Sequence, residues 1–266
     1  MAHTFQRFEA STAPPNDDLQ MTRKMACRKS HTKVLKQNLN STKHIHILED
    51  DITLCTNYPI IIDKLLTQMP HKWDILYTGL SLFENYKNIL HLIQARNKNT
   101  INIIEPKQQG FYGAFAYFIH KRSINKIYSI LKVDKSNKAI DVLLLEQINN
   151  GNIIAYSTFP TLVKHSYTFD STIDNKNFSD RGIVNALYQD FFYIHYNQLE
   201  MAQKIEKVGK MLGYNIQKSV KITNDTTTLH ALTSLRNISD IKQAGIFTQK
   251  LVDKKHSQEQ IHLFSS

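Results

Sequence analysis

The sequence predicts an α/β fold followed by a helical C-terminal extension. Short segments rich in β-branched and aromatic residues alternate with helical patterns up to about residue 165, which is typical of a sheet packed against helices. Beyond residue 175 the strand patterns stop, while helical patterns cover Ile183 to Met211 and continue to about Leu251. We therefore expect an α/β domain over residues 1–175 and a mostly helical extension over 176–266, with a frayed polar tail from Lys254.

The first predicted elements are one loop, one helix and one short strand. Proline, asparagine and aspartate residues make Thr12 to Asp18 a turn-rich loop. A helical pattern of apolar and small residues then runs from Thr22 to Asn38. His44 to Leu48 is short, and its Ile45 and Ile47 alternate with histidines, so this segment is predicted to be a strand.

A second helix and two more strands are predicted next. Tyr58 to Met69 has apolar residues at helical spacing, and Pro59 falls in its first turn, where a missing N–H costs little. Trp73 to Thr78 is an apolar and aromatic segment closed by Gly79, which predicts a strand. Ile101 to Ile104 predicts a short strand.

The remaining elements of the α/β domain follow the same alternation. Gly110 to Ile119 alternates small and aromatic residues and predicts one strand. Helices are predicted over Lys121 to Leu131 and over Ala139 to Asn149, the second of them capped by Gly151. Ile153 to Tyr156 predicts a last strand.

Charge and cysteine content restrict the function classes. The chain of 266 residues has a formal net charge of +10, which favours anionic partners such as nucleotide phosphates, nucleic acid or an anionic membrane face. A lysine-rich solvated surface is the alternative interpretation. The basic residues form no long block, so the arginine-rich arm of a nucleic-acid binder is absent. Cys27 and Cys55 allow no disulfide framework or zinc-finger spacing, which favours a reducing compartment.

No secretory signal or membrane span is evident in the sequence. The N-terminus lacks an apolar run, and no apolar stretch approaches the roughly 20 residues that a transmembrane helix needs. We expect a cytoplasmic protein, with peripheral attachment to a membrane as a variant of that expectation.

Three consecutive carboxylates, Glu49, Asp50 and Asp51, directly follow the predicted strand that ends at Leu48. Ligands gather at the carboxyl ends of strands in open α/β sheets, and carboxylate oxygens bind Mg²⁺ or Mn²⁺. Glu49 and Asp51 are two residues apart, so their side chains would project to the same side of an extended chain. The segment is a candidate metal site that would bridge to a diphosphate; a solvated surface turn is the alternative.

Five segments, in this order, resemble family twenty-five glycosyltransferases, the lipooligosaccharide and collagen galactosyltransferase group. They are Phe5 to Ala10 (an early strand of the form F-x-R-F-x-A), Ala26 to His31 (a cysteine followed by Ser-His in a helix), Ile47 to Asp51, Trp73 to Gly79, and Gly113 to Ile119. Weaker matches at Ile140 to Val142, Pro160 to His165 and Ser171 to Ile173 extend the resemblance over residues 5–173.

The resemblance implies a GT-A-like fold, in which a nucleotide-sugar-binding sheet has helices on both faces. It also implies inverting transfer of a sugar, galactose favoured, from a nucleotide diphosphate such as UDP-galactose, with Mn²⁺ or Mg²⁺. The acceptor would be a hydroxyl of a glycan, a lipooligosaccharide or a protein, and nucleic acid would not be a partner. The residues it implicates are Glu49 and Asp51 as metal ligands, Ser30, His31, Asp50 and Gly113 at the donor, and Asp141 as general base.

Several of these residues also have purely structural interpretations. His31 could be a structural hydrogen-bonding residue, Asp141 could cap a helix, and His165, which could reach a phosphate, could belong to a loop. Arg28, Lys29 and Lys33 could meet a diphosphate or form a solvated helix face. Side chains that could either bind ligands or belong to the core are His44, His46, Tyr112, Phe115, Tyr117 and Phe118.

Two further functions compete with sugar transfer. The family usually opens with a strand that helps to form the nucleotide pocket, and the resemblance begins after it, which suggests a catalytically inactive, glycosyltransferase-like binding protein. The charge of +10 alone suggests a basic nucleic-acid-binding protein, which would bind with a steep dependence on salt.

Overall fold

The structure is a computed structural model that describes residues 6–11, 19–80, 82–83, 90–94, 100–107, 111–113, 115–166, 180–216 and 221–241. The predicted loop at Thr12 to Asp18, the segment from Ser171 to Ile173 and the tail from Lys254 lie outside these residues. Residues 6–11, from the segment that resembles an early strand, form no helix or strand.

The described residues form nine strands and eight α-helices. The strands are β1 (Ile45–Leu48), β2 (Ile52–Leu54), β3 (Ile75–Gly79), β4 (Leu82–Phe83), β5 (Asn102–Ile104), β6 (Phe111–Tyr112), β7 (Ala116–Ile119), β8 (Ala155–Phe159) and β9 (Val163–His165). The helices are α1 (Leu19–Gln37), α2 (Tyr58–Gln68), α3 (Leu90–Gln94), α4 (Ile124–Val133), α5 (Ile140–Asn149), α6 (Asp180–Phe192), α7 (Gln198–Met211) and α8 (225–241).

A mixed five-stranded sheet with the order β1-β7-β3-β8-β5 forms the centre of the first part of the chain. Only β3 and β8 pair in parallel, and the other neighbours pair antiparallel, so β1, β3 and β8 all run in the same direction. The carboxyl ends of β1, β3 and β8 therefore lie at the same edge of the sheet, and β7 begins at this edge. At this edge the backbone N–H of Glu49 donates to the carbonyl oxygen of Phe115 over 2.8 Å.

Helices cover both faces of this sheet. On one face Leu76 of β3 and Phe118 of β7 belong to a buried apolar cluster with Tyr58, Ile62 and Leu65 of α2. On the other face the hydroxyl of Tyr117 lies 2.7 Å from Nδ1 of His31 in α1. Neighbouring residues of a strand point to opposite faces, which explains why Tyr117 and Phe118 meet different helices. The α/β fold class, with helical segments after it, is confirmed.

The predicted strand from Gly110 to Ile119 was wrong as a single element. It contains two strands, β6, which pairs with β4 in a separate two-stranded sheet, and β7, which belongs to the central sheet. Gly113 lies between them with φ 79°, a left-handed conformation that glycine adopts without strain and that interrupts an extended strand.

The predicted single helical stretch from Ile183 to Met211 was also wrong. The chain leaves the helical conformation after Phe192, where Thr161 N–H donates to the Phe192 carbonyl oxygen over 2.9 Å. Helix α7 starts anew at Asn197, whose side chain caps it by accepting from the N–H of Glu200. The helix cap at Gly151, with φ 75°, is confirmed.

The chain divides into two compact units. The first comprises Met1–Lys176 with Gln189–Tyr196, and the second comprises Asn177–Tyr188 with Asn197–Ser266. The predicted boundary between an α/β domain over residues 1–175 and a helical extension over 176–266 stays a prediction. None of the described helices combines the length and the apolar character needed to cross a membrane.

Candidate functional site

The acidic segment lies at the sheet edge where β1 ends. After β1, the chain bends at Asp50 and enters β2, which pairs antiparallel with β9. This pairing places Ile52 opposite His165, and it continues in a bond from Ser166 N–H to the carbonyl oxygen of Asp51, 2.7 Å long. The ribbon formed by β2 and β9 thus fixes His165 beside the acidic segment.

Glu49, Asp51 and His165 form one candidate metal group. One ligand atom from each lies within 4.8 Å of those of the other two, and Nδ1 of His165 is 3.3 Å from Oδ1 of Asp51. The hydrogen bond from His165 lowers the pKa of Asp51 and outweighs the effect of burial, which raises it. Carboxylate oxygens suit hard divalent ions such as Mn²⁺, an imidazole nitrogen suits transition metals, and both carboxylates are partly open to solvent.

Glu49 also belongs to a second group, whose other members lie on α1. Oε1 of Glu49 is 3.8 Å from Sγ of Cys27 and 3.6 Å from Nε2 of His31. Cys27 and His31 are four residues apart, so they share one face of the helix. Burial, and then the negative charge of Glu49, raise the pKa of Cys27 to about 12, so the thiol is protonated and donates to Glu49.

The other side chains implicated at the donor have different surroundings. Asp50 is exposed in the bend between Glu49 and Asp51. The Ser30 hydroxyl accepts from Ser11 N–H over 2.8 Å and donates to the Ala26 carbonyl oxygen over 2.9 Å, so it bonds within the protein. His31 is only 5% exposed and contacts Tyr117 and Glu49.

Asp141 and Gly113 are in direct contact. Asp141 lies in the first turn of α5, where its Oδ2 accepts the N–H of Gly113 over 2.8 Å and its Oδ1 accepts the N–H of Val142 over 2.9 Å. Burial is the main cause of the raised pKa values of Cys27 and Tyr77, and the negative charge of Asp141 raises both further. Asp141 therefore interacts electrostatically with Cys27, which contacts Glu49 of the acidic segment.

The remaining candidates are built into the core or into other networks. Phe115, Tyr117 and Phe118 are at most 5% exposed, although the Phe115 ring also lies 4.0 Å from the His165 ring. The guanidinium of Arg28 is buried and bonds to the Asp134 carboxylate and to backbone carbonyls, so a diphosphate could not reach it without breaking these bonds. His46 stacks on Phe118, and His44 contacts Trp73 and His120. Lys29 and Lys33 are exposed on α1.

Sequence reasoning undervalued His165 and gave Cys27 no role of its own. His165 joins the acidic segment only through the pairing of β2 with β9, two three-residue strands too short to give a clear alternation. For Cys27 a signal existed, because its four-residue spacing from His31 within a predicted helix places both side chains on one face.

The comparisons with known proteins identify the family of the chain. The family model described as glycosyltransferase family 25 (LPS biosynthesis protein) matches residues 4–144, which is more than half of the chain and includes the acidic segment, Gly113 and Asp141. No curated protein matches the sequence. The extent of the family match establishes that this chain belongs to glycosyltransferase family 25.

Proposed function

We propose that this chain transfers a sugar, galactose favoured, from a nucleotide-diphosphate donor to a hydroxyl of a glycan, a lipooligosaccharide or a protein. We propose that transfer inverts the anomeric configuration and requires Mn²⁺ or Mg²⁺. The observation that carries the proposal is the grouping of Glu49, Asp51 and His165 at the edge where β1 ends. Family membership supports the reaction class, and the position of this group at the carboxyl ends of the strands supports the proposal that the diphosphate binds beside it.

Glu49, Asp51 and His165 would hold the metal ion. A divalent ion there would neutralise charge that develops on the departing nucleoside diphosphate. His165 lowers the pKa of Asp51, so Asp51 is ionised at neutral pH and needs to lose no proton before it binds a cation. Asp51 and Glu49 have side chains 49% and 28% exposed, which allows a ligand to approach from solvent.

The donor would lie against the same edge of the sheet. Asp50, exposed between the two metal ligands, would face the donor, and Gly113 would let the backbone come close to it. Ser30 and His31 would act by bracing the site, because their polar atoms already bond to Ser11, Ala26, Tyr117 and Glu49.

Asp141 is the proposed general base. It would take the proton from the acceptor hydroxyl as that oxygen attacks the anomeric carbon. Each carboxylate oxygen accepts one backbone N–H and retains a further lone pair for the acceptor hydroxyl. The same two bonds fix the carboxylate, which limits the motion that proton transfer would otherwise require.

Net charge and family membership support our proposal for the acceptor and for where it is met. A lipooligosaccharide acceptor would be presented at a membrane, and a net charge of +10 favours approach to an anionic membrane surface. This favours a lipid-linked or phosphorylated glycan over a neutral soluble one.

The proposal is tested by turnover of a panel of uridine, guanosine and cytidine diphosphate sugars with Mn²⁺ and a panel of glycan acceptors. We expect release of one nucleoside diphosphate, and a product whose anomeric configuration by NMR is opposite to that of the donor. Asp51→Asn should abolish turnover, while Asp225→Asn, in α8, should not. Nucleotide binding without turnover of any sugar nucleotide would favour the inactive binding protein instead.

A further inference from the structure

Cys27, His31 and Glu49 form a group with a different chemical preference from the oxygen-rich group that shares Glu49. Their ligand atoms all lie within 4.8 Å of one another, and they combine a thiol, an imidazole and a carboxylate. We propose that these three side chains form a binding site for a thiophilic divalent cation, with Zn²⁺ as the best fit. Soft sulfur ligands select Zn²⁺ over Mg²⁺ or Mn²⁺, whereas carboxylates alone do not.

The distances suit a tetrahedral ion. Ligand atoms at ~2.0–2.3 Å from Zn²⁺ lie about 3.5 Å from each other. Oε1 of Glu49 is already 3.8 Å from Cys27 Sγ and 3.6 Å from His31 Nε2. The Cys27 and His31 ligand atoms lie within 4.8 Å of each other, so binding requires side-chain shifts of at most about 1 Å. Three protein ligands leave a fourth position open, as in zinc sites that bind water or a substrate.

The surroundings of His31 hold its ring in the orientation that such a site needs. Nδ1 of His31 lies 2.7 Å from the hydroxyl of Tyr117, and the two rings are stacked with an interplanar angle of 4°. This contact points Nε2 towards Glu49. A ligating histidine usually bonds through its other ring nitrogen to a fixed outer partner, and the Tyr117 oxygen can accept from Nδ1–H when Nε2 binds a cation.

Binding of a cation at this site requires Cys27 to lose its thiol proton. Cys27 has a pKa of about 12 without a cation, because burial and Glu49 disfavour the thiolate. A bound dication would remove the excess negative charge and displace the thiol proton to solvent. The site differs from structural zinc fingers because it contains a single cysteine. The other two ligands are His31, from the same helix α1, and Glu49, which follows β1.

The test uses Co²⁺ as a spectroscopic substitute for Zn²⁺ on the full chain. A thiolate bound to Co²⁺ gives a charge-transfer absorption band in the near ultraviolet, and Zn²⁺ should remove it by competition. We expect the band in the wild type and in Cys55→Ala, which removes the other thiol, and its loss in Cys27→Ser. A band that is absent from the wild type, or that persists in Cys27→Ser, would overturn the proposal.

A second measurement does not depend on the folding of Cys27→Ser. In the Cys55→Ala background, the rate at which a maleimide modifies Cys27 should fall at least tenfold with Zn²⁺ and should not fall with Mg²⁺. Equal rates with both ions would contradict the site. Neither measurement involves a sugar donor, so failure of sugar transfer and failure of this site are separate outcomes.

Discussion

Nδ1 of His165 lies 3.3 Å from Oδ1 of Asp51, although the two residues are 114 positions apart in the sequence. The contact depends on the antiparallel pairing of β2 with β9, which aligns Ile52 with His165. It supplies the acidic segment with a third ligand from a distant part of the chain and lowers the pKa of Asp51. An exposed acidic turn thereby becomes an ordered group of two carboxylates and one imidazole.

Replacement of His165 by alanine should weaken metal binding without unfolding the protein. The loss of one ligand should raise the Mn²⁺ concentration for half-maximal activity by at least about tenfold, because even the loss of a residue that only orients a ligand typically costs that much in metal affinity. The measurement is a Mn²⁺ titration of turnover. His91→Ala, at an exposed position of α3, is the control and should leave the titration unchanged. Superimposable curves for all three proteins would remove His165 from the site.

Two buried tyrosines, side by side in the sheet, provide a matched pair. Tyr117 bonds to His31, whereas the Tyr77 hydroxyl is fully buried and has no hydrogen-bond partner among the described residues. Tyr117→Phe should leave His31 Nδ1 unsatisfied, which costs about 1–3 kcal/mol of unfolding free energy. Tyr77→Phe removes an unpaired buried hydroxyl and should be neutral or stabilising.

The two tyrosine variants also distinguish an effect on stability from an effect on activity. Tyr117→Phe should reduce activity at limiting Mn²⁺, because a freed His31 no longer holds Glu49 in place. Urea unfolding and Mn²⁺ titrations of both variants provide the measurements. If Tyr77→Phe is the more damaging of the two, the proposed support of Glu49 by Tyr117 and His31 is wrong.

Asp141→Asn should lower kcat by at least about 100-fold, the scale expected for the loss of a general base. The amide oxygen can still accept the N–H of Gly113, and only the solvent-exposed bond from Val142 N–H is lost, so donor affinity and melting temperature should change little. Glu146→Gln, in the same helix but in an exposed ion pair with Lys138, is the control. A variant with normal kcat and a lower melting temperature would show that Asp141 only anchors the Gly113 loop.

Acid should destabilise the protein through two adjacent histidines at the opposite edge of the sheet. Burial, and then the neighbouring His44, lower the pKa of His120 from 6.5 to about 4; burial also lowers the pKa of His44. Lys121 and Arg122 lower both pKa values further, and Asp74 opposes this at His120. The unfolded chain therefore binds more protons than the folded chain between pH 6.5 and about 4.

The free energy of unfolding should accordingly be fully present above pH 6.5 and fall as the pH drops towards about 4. Replacing His120 with glutamine removes the titrating group and should reduce the slope of unfolding free energy against pH in this window. Urea unfolding at a series of pH values measures both slopes. Equal slopes for wild type and His120→Gln would assign the acid sensitivity to other groups.

The sequence was sufficient for elements whose signal is local. The strand before Glu49, the helix with Pro59 in its first turn and the cap at Gly151 follow from periodicity and backbone restriction, and all three occur. The break at Gly113 could not be anticipated, because small and aromatic residues alternate through it as in a continuous strand.

Long-range pairing was beyond local reasoning. The spacing of Glu49 and Asp51 indicated a shared direction, but the partners supplied by His165 and Cys27 depend on which strands and helices are neighbours. The same holds for Arg28, which on a helix pattern looks like an exposed cation and is in fact buried against Asp134. Such contacts depend on which strands and helices pack together in the fold, and the sequence of a single segment does not determine that.

The most direct test of the central claim is a crystal structure with Mn²⁺ and a nucleoside diphosphate, measured at the manganese absorption edge. The account predicts one anomalous peak within coordination distance of Glu49, Asp51 and His165, with the diphosphate against the same edge of the sheet. A manganese peak or a diphosphate elsewhere on the protein, with Glu49 and Asp51 unchanged, would contradict it.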